Sequence, residues 1–180
     1  MHVCQIILIE ADSPEMAFSD VASNIDDDPI SWSDWHNADH SNVGELNFAG
    51  RWAGEVFAKL DSEGNPIDDE TALNYLRYSD NPERAEGIIS QYLEERMSAI
   101  RQYRTEAVDL STHPYDPQVS TPYTPAIWAT SKLVKLIDNE WTPESGFYDL
   151  EGWTGSLEYF IQRVIKDPTR QYLIPIDFHF

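Results

Sequence analysis

Hydrophobic positions along the chain follow two rhythms, one of strands and one of helices. Residues 3–9 (VCQIILI) form a short, branched, nearly continuous apolar run, the pattern of a buried strand. Phe18, Val21, Ala22 and Ile25 then recur at i, i+3, i+4 and i+7, which makes one apolar helix face. The start of that helix is marked by Ser13 as N-cap, Pro14 in the first turn and Glu15 near the positive helix end. Asp26-Asp27-Asp28-Pro29 should end it, because the residue before a proline avoids helical backbone and acids oppose the negative end. Residues 30–36 (ISWSDWH) read as a second strand and residues 45–60 as extended chain, closed by the turn formers of 61–66.

The middle of the chain reads as helix. Residues 68–78 form a short amphipathic candidate with Ala72, Leu73 and Leu76 inward. Asn81-Pro82-Glu83 then opens a longer helix towards residue 108, with Ala85, Ile88, Ile89, Tyr92, Leu93, Ile100 and Tyr103 at helical spacing. Residues 111–125 carry four prolines and read as a loop, 126–129 and 133–137 as strands, and 143–146 as a turn. Residues 153–165 have helical spacing through Leu157, Phe160, Ile161 and Val164. The last strand is 172–178 (YLIPIDF), where Pro175 requires an edge or a bulge. This order predicts a single α+β domain over residues 1–180 with a helical insertion at 68–108. A mixed or antiparallel sheet should contain both terminal strands, with the helices packed on one face.

Charge changes the picture more than composition does. There are 32 acids against 12 Lys and Arg, a net charge of -20, and no Lys or Arg precedes Arg51 although ten acids do. Such a field repels phosphate backbones and anionic lipid, so neither direct nucleic-acid binding nor membrane binding is expected. The longest apolar run, residues 6–9, is far short of the ~20 residues that span a bilayer. No basic region followed by an apolar leader opens the chain, and a cytoplasmic location is expected. Cys4 is the single cysteine, which rules out an internal disulfide and a multi-cysteine metal cluster; within its strand it reads as a small buried hydrophobe.

Four segments resemble small tailed-bacteriophage proteins to which no activity is attached: CQIILIEADSPEMAF, Ser33-Asp34-Trp35-His36, Phe48-Ala49-Gly50-Arg51-Trp52-Ala53-Gly54 and Ile176-Asp177-Phe178-His179. In those proteins a DW or DWH segment precedes a GGRW-like one, and a D-x-H-like strand closes the chain. Ala49 stands where a first glycine is usual, and the middle helices look like an insertion. The resemblance rests on these short motifs. It implies phage origin and action in a bacterial host cytoplasm, and it transfers no catalytic residue.

Candidate chemistry centres on Gly50-Arg51-Trp52-Ala53-Gly54. Flanking glycines Gly50 and Gly54 let the backbone approach a ligand or a strand closely. The Arg51 guanidinium matches carboxylate or phosphate, and Trp52 offers a flat face for a ring. Trp32, Trp35 and His36 are expected to complete an aromatic-walled cleft. The competing role is structural, with Trp52 in the core and Arg51 stacked on an aromatic ring or paired with an acid. His36 and His40, spaced H-x-x-x-H, are candidates for zinc, with Asp34, Asp177 or His179 supplying further ligands. The motif lacks the Glu of a zincin and a polar loop accounts for both histidines, so no metal and no cofactor is expected. Asp177 and His179 share one face of the last strand, as acid/base machinery or as a polar edge. Arg96, Arg101 and Arg104 complement a helix C-terminus or collect a phosphate.

No G-x-S-x-G, P-loop, G-x-G-x-x-G or H-E-x-x-H motif is present. The expected function is therefore non-enzymatic binding against a host defence component. A small anionic or nucleotide-like ligand would be captured in the Arg/Trp pocket, within a chain or at the interface of a homo-oligomer. One alternative is an acidic nucleic-acid mimic that inhibits a basic host protein. Another is a hydrolase, metal-assisted or using His36, His179 and nearby carboxylates for acid/base chemistry.

Overall fold

The chain's first and last strands lie side by side. In the computed structural model, which describes residues 1–27, 33–58, 61, 63, 73–111, 123–138, 147–149, 161, 162, 164 and 166–179, β1 (His2–Glu10) and β5 (Gln171–His179) pair antiparallel. The register runs from His2↔His179 to Glu10↔Gln171. Both strands are apolar at successive positions, so both faces of the ladder need cover. Ile7, Ile9, Tyr172, Ile174, Ile176 and Phe178 belong to one core, and Ile6, Leu8 and Leu173 to another. α1 (Pro14–Asp27) closes the first core with Ala17, Phe18, Val21, Ala22 and Ile25. α2 (Pro82–Ser111) closes the second with Ala85, Ile88 and Ile89. Helices thus cover both faces of the sheet, which corrects the expectation of one. A two-faced apolar ladder leaves no face for water.

The sheet is mixed. Its order is β2-β5-β1-β4, where β2 is Trp35–His36 and β4 (Phe147–Asp149) runs parallel to β1. β3 (Leu76–Arg77) also pairs with β5. The α+β architecture, with both terminal strands in the sheet, is the one read from the sequence.

Helix starts follow their capping residues. Ser13 Oγ accepts from the Met16 backbone N–H at 3.2 Å, and Asn81 Oδ1 accepts from that of Arg84 at 3.1 Å. α3 (Tyr123–Ile137) replaces the two strands expected at 126–129 and 133–137. Ala129 and Leu136 are buried and Ala126 and Leu133 half-buried, a helical stripe that packs on α2 and overrides the β-branched local composition. Buried Arg96 donates to the Leu136 carbonyl at the end of α3, so it caps the neighbouring helix and not its own.

Residues 45–58 are turns, not extended chain. Leu46, Gly50 and Gly54 all take positive φ, and 3₁₀ turns occupy His40–Glu45 and Gly50–Trp52. The described part of 68–78 is β3 with a turn before it, because Leu76 and Arg77 pair with Leu173 and Tyr172 instead of winding into a helix. Pro175 sits mid-strand. Asp177, two residues on, directs its backbone N–H away from β1 to the Phe48 carbonyl at 2.9 Å, and by alternation residue 175 faces the same way. The missing N–H falls between the short stretches paired with β2 and β3, a local edge. The proline stop at 28–29, Trp32, the proline-rich loop at 112–122, the turn at 143–146 and most of the helix at 153–165 lie outside the described residues.

Phe18 is fully buried, with its ring 4.6 Å from that of Phe48 and 6.1 Å from that of Tyr75. Phe18→Ala should cost about 3–5 kcal/mol, read as a lowered denaturant midpoint with an unchanged slope.

Candidate functional site

The sheet face beneath α2 changes character along its length. Ile6, Leu8 and Leu173 are apolar, but alternation places His2, Cys4, Asp177 and His179 on the same face at the other end. The chain after β2 folds over that polar end. Asn37 donates its backbone N–H to the Asp177 carbonyl at 3.0 Å, and the Phe48 carbonyl accepts from the Asp177 N–H. These bonds bring Gly50 against the Asp177 side chain. A Cβ on Gly50, whose φ is +54°, would stand 2.6 Å from Asp177 Oδ2. The glycine serves close approach to a carboxylate of the chain itself.

Asp177 is 1% exposed and ringed by donors. Its Oδ1 lies 2.9 Å from His2 Nδ1 and accepts from Trp52 Nε1 at 3.3 Å. Oδ2 accepts from the Arg51 backbone N–H at 3.3 Å. A buried carboxylate is tolerable only when its lone pairs are met in this way. The bond to Asp177 fixes the indole of half-buried Trp52, and the Arg51 guanidinium stands exposed, 5.8 Å from the centre of the Trp52 ring. Gly54, φ +76°, donates its N–H to Asn74 Oδ1 at 3.0 Å, which ties the turn to the chain before β3.

Trp35 reaches the same cluster from the other side. It pairs with His179, and its ring stands edge-on to that of His2 at 6.2 Å. His179 Nδ1 lies 2.7 Å from Asp34 Oδ1, a hydrogen bond that holds the Asp34 carboxyl below its ordinary range. His36 belongs to the opposite face, its ring 6.0 Å from that of Phe178 in the α1 core. Its Nδ1 is buried with no partner among the described residues. His40 meets α1 through Ser23 Oγ at 3.4 Å and Asp26 at 3.7 Å. The structure therefore joins Gly50, Arg51 and Trp52 to Trp35 through Asp177 and His2, and it separates His36 and His40 from them. Trp32 lies outside the described residues.

Two hollows adjoin the cluster. One, of about 310 Å³, lies between the sheet, the Trp52–Val56 turn and α2; Cys4, Trp52, Glu55, Arg84 and Tyr92 are among its walls. Arg84 is anchored there by a bond to the Val56 carbonyl at 3.3 Å. Burial pushes the Tyr92 phenol up to about 12, with Cys4 and Glu95 adding to the effect, so it is a neutral donor at neutral pH. The second, of about 550 Å³, is bordered by Asp26, Asp34, Trp35, His36 and Asp39. The sequence reading passed over His2, Arg84 and Tyr92. His2 was legible once the terminal strands pair: H-x-C on the first faces D-x-H on the last.

Burial, and then the Asp177 charge, push the Cys4 thiol up to about 12. Unfolding lowers it to the ordinary ~8.5, so Cys4 contributes stability that is complete below that value and is lost as pH rises towards 12. Alkylation at pH 8 should be at least ~10-fold slower in the folded chain than in denaturant, followed by mass spectrometry. Gly50→Ala, which must move Asp177 and strain a positive φ, should destabilise the chain by more than ~1 kcal/mol in a denaturant titration.

No protein-family model, curated protein or solved structure matches the chain, so its functional reading rests on this geometry and on the residues that make it.

Proposed function

We propose that the chain is a binding protein that captures a small anionic ligand bearing a planar ring, on the Arg51–Trp52 shelf and the hollow behind it. One observation carries the reading: in a molecule of net charge -20, the Arg51 guanidinium is held exposed beside an oriented indole and forms no ion pair among the described residues. Several other arginines are committed to structural partners. Arg77 bonds Tyr172 Oη at 2.8 Å, Arg170 pairs with Glu10 and Asp12, and Arg84 holds a backbone carbonyl. Trp52 and Tyr92 supply ring surfaces, and Arg84 supplies a second positive charge at the wall. A hollow of about 310 Å³ is at the small end of the range for ligand sites, ~300–1,000 Å³.

The negative field opposes a polyanion far more than a ligand of one or two charges, because it acts on every phosphate. A nucleotide is the ligand that joins a planar ring to such a charge. In the host cytoplasm implied by the phage resemblance, a nucleotide signal of host defence fits that description. A competing acidic-inhibitor reading draws on Asp26, Asp34 and Asp39 around the larger hollow, which would meet a basic partner.

Calorimetry against mono-, cyclic and dinucleotides should find a ligand that also quenches tryptophan fluorescence. Arg51→Ala should weaken it by about 10- to 100-fold, the ~1.5–3 kcal/mol of a charge-assisted hydrogen bond. Failure of every nucleotide, or full affinity in Arg51→Ala, overturns the reading. A complex with a basic protein that weakens steeply with salt supports the inhibitor instead.

A further inference from the structure

Beside the ligand shelf, two histidines face each other across the terminal strands. Asp177 and His179 direct their backbone groups away from β1: the Asp177 N–H to Phe48, its carbonyl to Asn37, and the His179 carbonyl to the Asp34 N–H at 3.0 Å. His2 and His179 therefore oppose each other at a position where β1 and β5 exchange no backbone bonds. Side chains approach most closely at such pairs. The two ring centres are 4.9 Å apart.

Each ring has a carboxylate behind it. His2 Nδ1 bonds Asp177 at 2.9 Å and His179 Nδ1 bonds Asp34 at 2.7 Å. A carboxylate can only accept, so the neutral imidazole carries its proton on Nδ1 and presents the Nε2 lone pair. No described residue bonds either Nε2. Carboxylate–imidazole pairs are the usual outer support of metal-bound histidine, where they fix the tautomer, aim the ring and raise its basicity.

We infer that His2 and His179 form a two-imidazole site for a divalent transition-metal ion of the zinc class. Imidazole nitrogen selects zinc, nickel or copper over magnesium and calcium, which prefer oxygen. Among the described residues no three His, Cys, Asp or Glu side chains converge as a metal cluster, so water would complete the coordination and leave the ion open to an exogenous ligand. The chain's negative field raises the local cation concentration. Differing from the sequence-derived pairing of His36 with His40, this site uses the histidines of the sheet's first and last strands. An ion held there would also clamp those strands to one another.

The test is calorimetric titration of the untagged full chain with Zn2+, with Mg2+ as the control for the acidic surface. One Zn2+ should bind per chain, with no matching Mg2+ site, and raise the thermal midpoint. His2→Gln keeps an amide donor for Asp177, and His179→Gln lies at the surface; each should lose at least ~10-fold in affinity and the thermal shift, while exposed His40→Gln keeps both. Asp34→Ala should weaken binding by about 10-fold through its loss of support to His179. No Zn2+ binding by the wild type, a Mg2+ site of equal strength, or unchanged affinity in either His2→Gln or His179→Gln overturns the inference.

Discussion

Burial of the Asp177 carboxylate sets the terms for everything around it. Leaving a buried charge short of a partner costs about 3–5 kcal/mol, so the chain around Asp177 is organised to supply donors from three places. His2 comes from the opposite strand, Trp52 from a side chain of the Gly50–Trp52 turn and Arg51 from its backbone. Gly50 is required because any side chain there would collide with the carboxylate. One charge thus fixes the path of the 48–52 segment, the orientation of an indole and the position of the first residues of the chain. The Arg51 guanidinium inherits its exposed position from that arrangement, since its backbone is committed inward.

The same end of the sheet concentrates the polar chemistry for a geometric reason. β1 and β5 are apolar on both faces over most of their length, and α1 and α2 cover them. Beyond Ile6 and towards His2, the face below α2 gives way to Cys4, Asp177 and the two histidines. The ladder therefore carries these polar groups at its tip, where the two histidines are part-exposed and Asp177 is buried beneath them. Side chains built on such strands hold their geometry better than those on loops. The Trp52 indole and the His2 imidazole meet on the same Asp177 oxygen, so the Gly50–Trp52 turn and the histidine pair are tied through one carboxylate.

The few cations are used largely to join elements of the fold. Arg96, Arg77, Arg84 and Arg170 are spent on backbone carbonyls, a phenol and nearby acids. Such contacts join elements: Arg96 ties α2 to α3, and Arg77 ties β3 to β5. In a chain so short of positive charge these contacts commit much of it to structure, whereas the exposed Arg51 guanidinium forms no ion pair among the described residues. Carboxylates, by contrast, are in excess, 32 against 12 Lys and Arg.

The sequence by itself determined the terminal strands, α1 and α2, because these carry strong periodicity and real caps in Ser13 and Asn81. It also marked Gly50, Arg51 and Trp52 as unusual. Tertiary structure decided α3, where burial of Ala129 and Leu136 outweighed β-branched neighbours, and the turns of 45–58, where three positive φ angles broke an apparently extended run. It decided the site as well. The partnership of His2 with Asp177 spans 175 positions, and no local pattern encodes it; it exists only because the first and last strands pair in one register. Local propensity is written along the chain, whereas a buried charge and its donors are assembled by long-range pairing, and only the folded sheet says which side chains meet.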